Sequence, residues 1–392
     1  MSNHRAEALS RDDYCLKTEP SPFLHQPCFL PSITSQCHAS NLLLCKNGEL
    51  LCAWFGGSQE GKPDISIYLS RKSAASESWT EAEQVTFDNT RSEQNPVLFE
   101  SLLGEVWLLY TSQTAGDQDS AVVKRKISID GGSEWQGPEV LFPESGTFIR
   151  QPMVSLEDDT LVIPIFKCRT QRGTRWVGND DISSIRVSKD QGRTWTETEI
   201  PNSFGAVHMG IKQLKDMSYL ALYRSRWADN ISSSVSSNGI EWSEPKPTEL
   251  PNPNSGICFE VLPSGQILVV YNHSSRTDAL ERREGLYDGI AQASDVRRDQ
   301  ASKHAGKEAF WGAPRAPLCI AHSDDDGRSW QCSVLETGDG YCMTNNSEQG
   351  LNRELSYPSM ALSPEGTVHL TYTFWRQKIK YAQLDLGVLS QL

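Results

Sequence analysis

The chain has 392 residues, enough for two ordinary domains or for one large all-β domain, so its length does not decide the number of domains. Its 37 basic and 50 acidic side chains give a net charge of -13, which argues against a nucleic-acid partner and against an anionic membrane surface, because both require a basic face. An anionic ligand must therefore be held by a local cluster of arginines.

The N-terminal residues and the cysteines both indicate a reducing compartment. Residues 1–14 lack the apolar run of a signal peptide, and no stretch elsewhere approaches the length of a transmembrane helix. The ten cysteines are scattered singly, with no CxxC pair and no histidine spacing typical of a zinc site. These features predict a cytoplasmic protein with no metal site and no cofactor.

After an irregular arm expected over residues 1–30, one pattern recurs along the chain: a turn residue, then an alternating or apolar run that ends in an aromatic residue. It occurs at 47–57, 103–112, 158–168, 215–226, 264–274 and 365–376. These runs predict six equivalent strands. Most of the steps between them are 48 to 57 residues, and a period near 50 is what one four-stranded blade of a β-propeller requires.

A second repeat, with the pattern S-x-D-x-G-x-x-W, lies between these strands. Its clear copies are SIDGGSEW (128–135), SKDQGRTW (188–195) and SDDDGRSW (323–330), and degenerate copies end at Trp79 and Trp242. In this pattern the aspartate caps a tight hairpin, the glycine takes a positive φ and the tryptophan packs between blades. We therefore interpret Asp130, Asp190 and Asp325 as structural. The two repeats predict one all-β domain, a six-bladed β-propeller, over residues 31–392.

A charged insertion near residues 277–313 lengthens the last step between repeats to 101 residues. Its composition is mixed and partly helical. We expect a solvated surface loop, with a flap beside the ligand site as the alternative.

The S-x-D-x-G-x-x-W repeats resemble the Asp boxes, or BNR repeats, of the sialidase (neuraminidase) superfamily, and the resemblance covers residues from about 35 to 382. The same box occurs in other glycosidases, in polysaccharide lyases and in non-enzymatic propellers, so the function must be argued from the site. Sialidases place three arginines around a substrate carboxylate. They add a tyrosine nucleophile activated by a glutamate, and a carboxylic general acid on a loop of the first blade.

Three residues match this pattern in the expected order. The run YLALYRSRW places Arg224 at the end of a central strand as the second arginine, with Arg226 close behind. The run RAPLCIAHS supplies Arg315 as the third arginine, and ELSYPS supplies Tyr357 as the nucleophile. The resemblance implies that Arg224, Arg315 and Tyr357 share one pocket.

Two positions depart from the sialidase pattern, and both hold histidine. His38 occupies the place of the first arginine, ten residues before Gly48, and no R-I-P motif is present. His208 occupies the place of the activating glutamate, sixteen residues before Arg224. The neighbours Arg353 and Glu354 are candidates for a missing charge, with surface residues as the alternative reading.

Loops that we expect at the same face offer further candidates. In the first-blade loop, Glu60 aligns best with the general acid and Asp64 is the alternative, while a turn role would explain either residue. The ends of neighbouring strands offer polar groups suited to sugar hydroxyls, although solvated turns explain them nearly as well: Gln94, Asn95, Arg150 and Gln151.

The preferred function is that of a sialidase-like glycoside hydrolase acting on a terminal acidic sugar, such as sialic acid, of a glycan. In this mechanism Arg224 and Arg315 bind the carboxylate, and Tyr357 attacks the anomeric carbon. Neutral His208 is the base and Glu60 protonates the leaving oxygen.

Two alternatives stay open. A uronate lyase would use histidine or tyrosine to remove the C5 proton while arginine neutralises the carboxylate, and two histidines suit that reaction. A propeller that binds an acidic glycan without catalysis is the third possibility. The sequence determines neither the sugar, nor its linkage, nor the oligomeric state.

Overall fold

A computed structural model describes residues 21–283, 285–287, 290, 298, 299 and 301–389. Six antiparallel sheets of this model are the blades of a ring, which confirms the predicted six-bladed β-propeller. Contacts between the first strands of most neighbouring blades place these strands around the central axis, and the first strand of blade 4 contacts the second and third strands of blade 3.

Each blade has four main strands that pair in sequence from the axis outward, and the short first strand of blade 3 continues in a further segment. Blade 1 consists of Gln36–Leu44, Leu50–Gly57, Ser66–Lys72 and Glu83–Gln84, and blade 2 of Arg91–Glu100, Val106–Thr114, Val122–Ser128 and Gln136–Phe142. Blade 3 consists of Thr147–Ile149 with Val154–Ser155, Leu161–Lys167, Ile182–Ser188 and Thr196–Glu199. Blade 4 consists of Ala206–Gln213, Tyr219–Ser225, Asn230–Ser236 and Lys246–Pro251, and blade 5 of Cys258–Val261, Ile267–Asn272, Leu318–Ser323 and Gln331–Glu336. Blade 6 consists of Leu355–Leu362, Val368–Phe374, Lys378–Leu384 and Leu24–Phe29.

Short elements complete the chain outside the blades. Thr174–Arg175 pairs in parallel with Arg298–Asp299 of the insertion. The helical elements are the 3-10 turns Gln118–Ser120, Arg276–Asp278 and Ser347–Gln349 and the α-helix Leu386–Leu389. Within the described part of the chain, no helix combines the length and the apolar character that crossing a membrane requires.

The six recurring apolar runs form the second strands of the six blades. These strands lie between two hydrogen-bonded neighbours, and their two faces pack against adjacent blades, which explains why they are apolar over most of their length. The packing between blades 4 and 5 shows this arrangement, because Leu222 and Ile231 join Val269 and Tyr271 in one buried cluster.

Each Asp box forms the hairpin between a third and a fourth strand. In the first box, Asp130 Oδ1 accepts hydrogen bonds from the backbone N–H groups of Ser133 (3.0 Å) and Glu134 (2.9 Å). Asp190 and Asp325 accept the corresponding bonds in the other two boxes. In an antiparallel blade these hairpins lie at the end opposite to the loops between second and third strands, so the Asp boxes lie opposite the loop that carries Glu60.

The last blade joins distant parts of the chain. Leu24–Phe29 pairs antiparallel with Lys378–Leu384 and so supplies the outer strand of blade 6. This strand lies within the arm predicted over residues 1–30, of which residues 1–20 lie outside the described residues.

Candidate active site

The first strands of blades 1, 2, 4 and 6 all carry a bulge at an equivalent place. The pairing register shifts between His38 and Asn41, between Gln94 and Val97, between Val207 and Gly210, and between Ser356 and Ser359. One non-glycine residue in each bulge has a left-handed backbone: Ala39 (φ 56°), Asn95 (φ 51°), His208 (φ 54°) and Tyr357 (φ 52°).

This conformation costs a non-glycine residue about 1–3 kcal/mol, and such residues persist where the surrounding structure holds them. Bulges also redirect side chains. In blade 3 the first strand breaks directly before Arg150, and in blade 5 Asn254 (φ 56°) precedes the first strand. All six blades therefore present an irregular segment near the axis, and several candidates lie on or directly beside these segments: His38, Gln94, Asn95, Arg150, Gln151, His208 and Tyr357.

Tyr357 lies at the centre of a group of arginines, and we call Tyr357, Arg150, Arg224 and Arg315 the Tyr357 cluster. The guanidinium carbons lie 5.3, 5.5 and 5.5 Å from the centroid of the tyrosine ring. Arg224 Nη1 also donates a short hydrogen bond to the phenol oxygen. Burial acts to raise the pKa of Tyr357, but Arg224 and Arg315 outweigh it, so that the pKa of the phenol falls below its ordinary value.

Both histidines pack near the tyrosine ring. The ring centroid of His38 is 4.3 Å from that of Tyr357, and the ring centroid of His208 is 6.0 Å away. His208 Nε2 lies 3.5 Å from Arg224 Nη1. Burial, together with the nearby arginines, lowers the pKa of both imidazoles well below the ordinary value. Both rings are therefore neutral near pH 7, and they bind a proton less readily than an ordinary imidazole does.

Glu354 is the buried carboxylate of a second group, and we call Glu354, Arg315, Arg376, Glu60 and His38 the Glu354 network. Its two oxygens accept hydrogen bonds from Arg376 Nε (2.9 Å) and Arg315 Nη1 (3.0 Å). Burial acts to raise the pKa of Glu354, but Arg376 and Arg315 lower it below the ordinary value. His38 Nδ1 lies 3.3 Å from Glu354 Oε1, although the angle is not that of a hydrogen bond. Glu354 thus fixes two arginines beside Tyr357.

Arg376 belongs to the site, and the sequence analysis missed it. Its Nη1 donates to Glu60 Oε2 (2.6 Å), and its Nη2 lies 3.1 Å from His38 Nε2. Because arginine has only donors, that imidazole nitrogen must accept. A guanidinium therefore lies directly beside His38, the residue that the sequence predicts at the position of the first arginine. The signal in the sequence was an arginine just after the second strand of blade 6, comparable to Arg226 after that of blade 4.

The structure separates the two candidates for the general acid. Glu60 is 7% exposed and accepts hydrogen bonds from Arg376 and from Asn345 Nδ2 (3.2 Å). Asp64 is exposed, and its Oδ2 accepts a hydrogen bond from the backbone N–H of Ser58 (2.8 Å). Glu60 is thus linked to the Glu354 network, whereas Asp64 caps its own loop.

Arg226 lies outside the Tyr357 cluster. Its Nε donates to Asp181 Oδ2 (2.8 Å), and its guanidinium lies 5.3–5.5 Å from the rings of Phe166, Trp176 and Trp311. Phe166 in turn packs against His208, with ring centroids 4.8 Å apart. The ring of Phe166 therefore separates Arg226 from His208.

Three of the remaining polar candidates, Gln94, Asn95 and Gln151, are buried, whereas Arg353 lies at the surface. Gln94 Nε2 donates to Ser92 Oγ (2.9 Å), and Gln151 Nε2 donates to the backbone oxygen of Ile257 (2.6 Å). Asn95 is 8% exposed on its bulge. Arg353, by contrast, forms a partly exposed ion pair with Asp339 (2.7 Å).

Part of the charged insertion packs against the Glu60 loop. Tyr287 Oη donates to Gln118 Oε1 (2.6 Å) and accepts from Gln113 Nε2 (2.7 Å). The backbone oxygen of Leu286 accepts from Asn345 Nδ2 (2.9 Å), the same group that binds Glu60. A Cβ atom added to Gly61 would lie only 2.8 Å from the Tyr287 ring. Leu286 and Tyr287 therefore lie beside the site; residues 284, 288, 289, 291–297 and 300 of the predicted loop lie outside the described residues.

Comparison with known proteins agrees with this architecture. A family model described as a BNR repeat-like domain matches residues 48–370. No curated protein matches the chain.

Three similar solved structures show the same fold. A Hadza microbial sialidase is 15% identical with a TM-score of 0.65, and the match covers 91% of this chain but 66% of the sialidase. An intramolecular trans-sialidase from Ruminococcus gnavus, solved with oseltamivir carboxylate, is 14% identical with a TM-score of 0.62 and coverages of 90% and 94%. A protein of unknown function from Dyadobacter fermentans is 14% identical with a TM-score of 0.66 and coverages of 93% and 98%.

Proposed function

This chain belongs to the BNR repeat-like domain family, and from this premise we propose that it is a divergent member of the sialidase superfamily and a glycoside hydrolase that removes a terminal acidic sugar, sialic acid or a relative, from a glycan. The observation that carries the proposal is the state of two buried arginines. Arg150 and Arg224 flank Tyr357, yet among the described residues neither has a carboxylate within ion-pair distance.

A buried cation without a counter-ion is costly, because burial removes the hydration of the charge. Burial lowers the pKa of Arg150 to about 10 and that of Arg224 to about 9, and both side chains still carry their charge at neutral pH. Arg150 Nε has no hydrogen-bond partner in the described part of the chain. A substrate carboxylate would supply the missing charge and accept paired N–H groups from the guanidinium forks.

Tyr357 is the proposed nucleophile. The arginines around it favour the phenolate, so the phenol loses its proton more readily than a free tyrosine does. Neutral His208 is the proposed acceptor for that proton, because Nε2 of His38 already accepts a hydrogen bond from Arg376. The oxygen of Tyr357 then bonds to the anomeric carbon as the glycosidic bond breaks, and water later releases the sugar.

Glu60 is the carboxyl group proposed to protonate the leaving oxygen. Its contact with Arg376 at 2.6 Å is an ion pair, an arrangement that suits a carboxylate better than a proton donor. To protonate the leaving oxygen, Glu60 must therefore first take up a proton from solvent and exchange its contact with Arg376 for one with the leaving group.

That ion pair, together with the two neutral histidines, favours one second candidate, a uronate lyase. In this reaction Tyr357 or a neutral histidine takes the C5 proton while arginine stabilises the negative charge that spreads onto the carboxylate. A C4=C5 double bond forms, the bond from C4 to the glycosidic oxygen breaks, and that oxygen takes up a proton. No ionised glutamate needs to act as an acid in this scheme.

One experiment separates these functions. The purified protein is incubated with 4-methylumbelliferyl sialoside and, in parallel, with uronate-terminated oligosaccharides. Release of the fluorophore supports the hydrolase, and a new ultraviolet absorbance from an unsaturated uronate supports the lyase. Ligand binding measured by calorimetry without either product would contradict both and indicate a non-catalytic glycan-binding propeller.

The variant Tyr357→Phe tests the nucleophile. It keeps the ring on which the arginines pack but lacks the oxygen, so we expect turnover to be lost while ligand binding is retained. Tyr341→Phe, at a tyrosine that is 37% exposed, is the matched control and should keep full activity. Substantial turnover by Tyr357→Phe would rule out the proposed nucleophile.

A further inference from the structure

A second cluster of reactive side chains lies on blade 5. The side chains are His273, Cys319 and Cys332, and one potential ligand atom of each lies within 4.8 Å of the other two. In the described residues, no other three histidine, cysteine, aspartate or glutamate side chains come together in this way. The proposed hydrolase or lyase mechanism uses none of the three.

Sheet pairing brings these residues together. Tyr271 pairs with Cys319, and Ala321 pairs with Cys332. Because alternate residues of a strand point to the same side, Cys319 lies on the same face as Cys332 and Tyr271, and His273 follows Tyr271 by two residues. The sequence does not reveal this cluster, because its three members are well separated along the chain and their spacing is not that of a zinc motif.

The polar atoms are already in close contact. Tyr271 Oη lies 2.5 Å from His273 Nδ1 and 2.8 Å from Cys332 Sγ. Cys332 Sγ lies 3.4 Å from His273 Nδ1. Cys319 is buried, whereas His273 and Cys332 are exposed. An ion therefore has a direct approach from solvent, with one ligand anchored in the sheet.

The 3.4 Å between Cys332 Sγ and His273 Nδ1, and the 4.8 Å within which the ligand atoms of all three residues lie, are close to the spacing in a tetrahedral zinc site. With Zn–S near 2.3 Å and Zn–N near 2.0–2.1 Å, the ligand atoms of such a site lie about 3.6–3.8 Å apart. We propose that His273, Cys319 and Cys332 bind one soft divalent cation of the Zn²⁺ class. Thiolate and imidazole are the ligands that Zn²⁺ prefers, and each thiol releases its proton to solvent when the ion binds.

The ion would connect the second, third and fourth strands of blade 5. The fourth ligand position is left to water or to the Tyr271 hydroxyl, which already lies beside two of the three ligands.

Cobalt binding tests this proposal in the full chain. The protein is stripped with a chelator under a phosphine reductant and titrated with Co²⁺. We expect thiolate-to-cobalt charge-transfer absorption and the visible bands of tetrahedral Co²⁺, saturating at one equivalent and abolished by one equivalent of Zn²⁺. Zn²⁺ should also raise the melting temperature. Failure of the fully reduced protein to develop these bands would overturn the proposal.

Variants locate the site. Cys332→Ser and His273→Ala replace exposed side chains, so both should fold, lose the charge-transfer band or bind Co²⁺ far more weakly, and lose the thermal shift. Cys28→Ser, at a half-exposed cysteine outside the cluster, is the matched control and should bind as the parent does. Bands that persist unchanged in Cys332→Ser would refute the assignment. A disulfide between Cys319 and Cys332 would also refute it. In that case the unfolded protein, without added reductant, would show eight free thiols instead of ten.

Discussion

Replacing Glu354 by glutamine removes the central negative charge of the Glu354 network while keeping the size of the side chain. Glu354 is 0% exposed and pairs with Arg315 at 3.0 Å and with Arg376 at 2.9 Å. Both arginines are buried. Arg376 keeps its ion pair with Glu60, but Arg315 has no other carboxylate within ion-pair distance among the described residues, so the substitution leaves its charge without a counter-ion. Removal of one partner from a buried pair costs about 3–5 kcal/mol, and we expect Glu354→Gln to lower the free energy of unfolding by about that amount.

The assay is urea denaturation at pH 7, with midpoints compared at equal slope. Asp339→Asn is the matched control, because it removes the same charge from the partly exposed Asp339–Arg353 pair, where we expect a loss of about 0–1 kcal/mol. If both variants lower the free energy of unfolding equally, Glu354 does not stabilise the network electrostatically, and the reasoning fails.

The pH dependence of the unfolding free energy, compared between the parent protein and Glu354→Gln, gives an independent check. The pKa of Glu354 is lower in the folded protein than its ordinary value, so its stabilising effect is complete above the ordinary glutamate pKa of about 4.3. The stabilising effect is lost as the pH falls through the lower pKa that Glu354 has in the folded protein. The difference in unfolding free energy between the parent and Glu354→Gln should therefore narrow in acid.

Three further predictions concern the site. Ultraviolet difference titration should show one tyrosine that ionises below the ordinary pKa of about 10; this transition should disappear in Tyr357→Phe, and its persistence there would assign it to another tyrosine. Arg224→Lys keeps the charge but loses the fork, so calorimetry should show about ten- to hundredfold weaker binding of a carboxylated sugar, corresponding to about 1.5–3 kcal/mol; unchanged affinity would exclude Arg224 from the binding site. Tyr287→Phe removes the hydroxyl that bonds Gln113 and Gln118 and should raise KM more than it lowers kcat; equal KM values would show that this part of the insertion does not touch the substrate.

Local patterns made the fold predictable from the sequence. Each second strand begins after a turn residue and is buried between its neighbours, and each Asp box closes a hairpin through bonds within a few residues of Asp130, Asp190 or Asp325. Turn chemistry and strand burial of this kind can be read from a short stretch of sequence.

The site was less predictable because its contacts are long-range. Arg224 and Tyr357 are adjacent, as the resemblance implied, but they are 133 residues apart in the chain. Arg376 binds Glu60 across 316 residues and His38 across 338, and no local pattern marks such a contact. The position of Arg226 next to Arg224 suggested a second ligand-binding arginine, but buried Asp181 and three aromatic rings hold its side chain instead.

The composition of blade 6 has a consequence for the biosynthesis of the protein. Tyr357 lies on a strand of this blade, Glu354 and Arg376 flank its strands, and its outermost strand is Leu24–Phe29. Because the chain is synthesised from its N-terminus, the centre lacks its tyrosine, its buried carboxylate and one arginine until the last part of the domain has been made. A chain interrupted before blade 6 would lack the reactive centre, and the strand Leu24–Phe29 would remain without its partner Lys378–Leu384. Closure of the ring and assembly of the reactive centre are therefore a single late event.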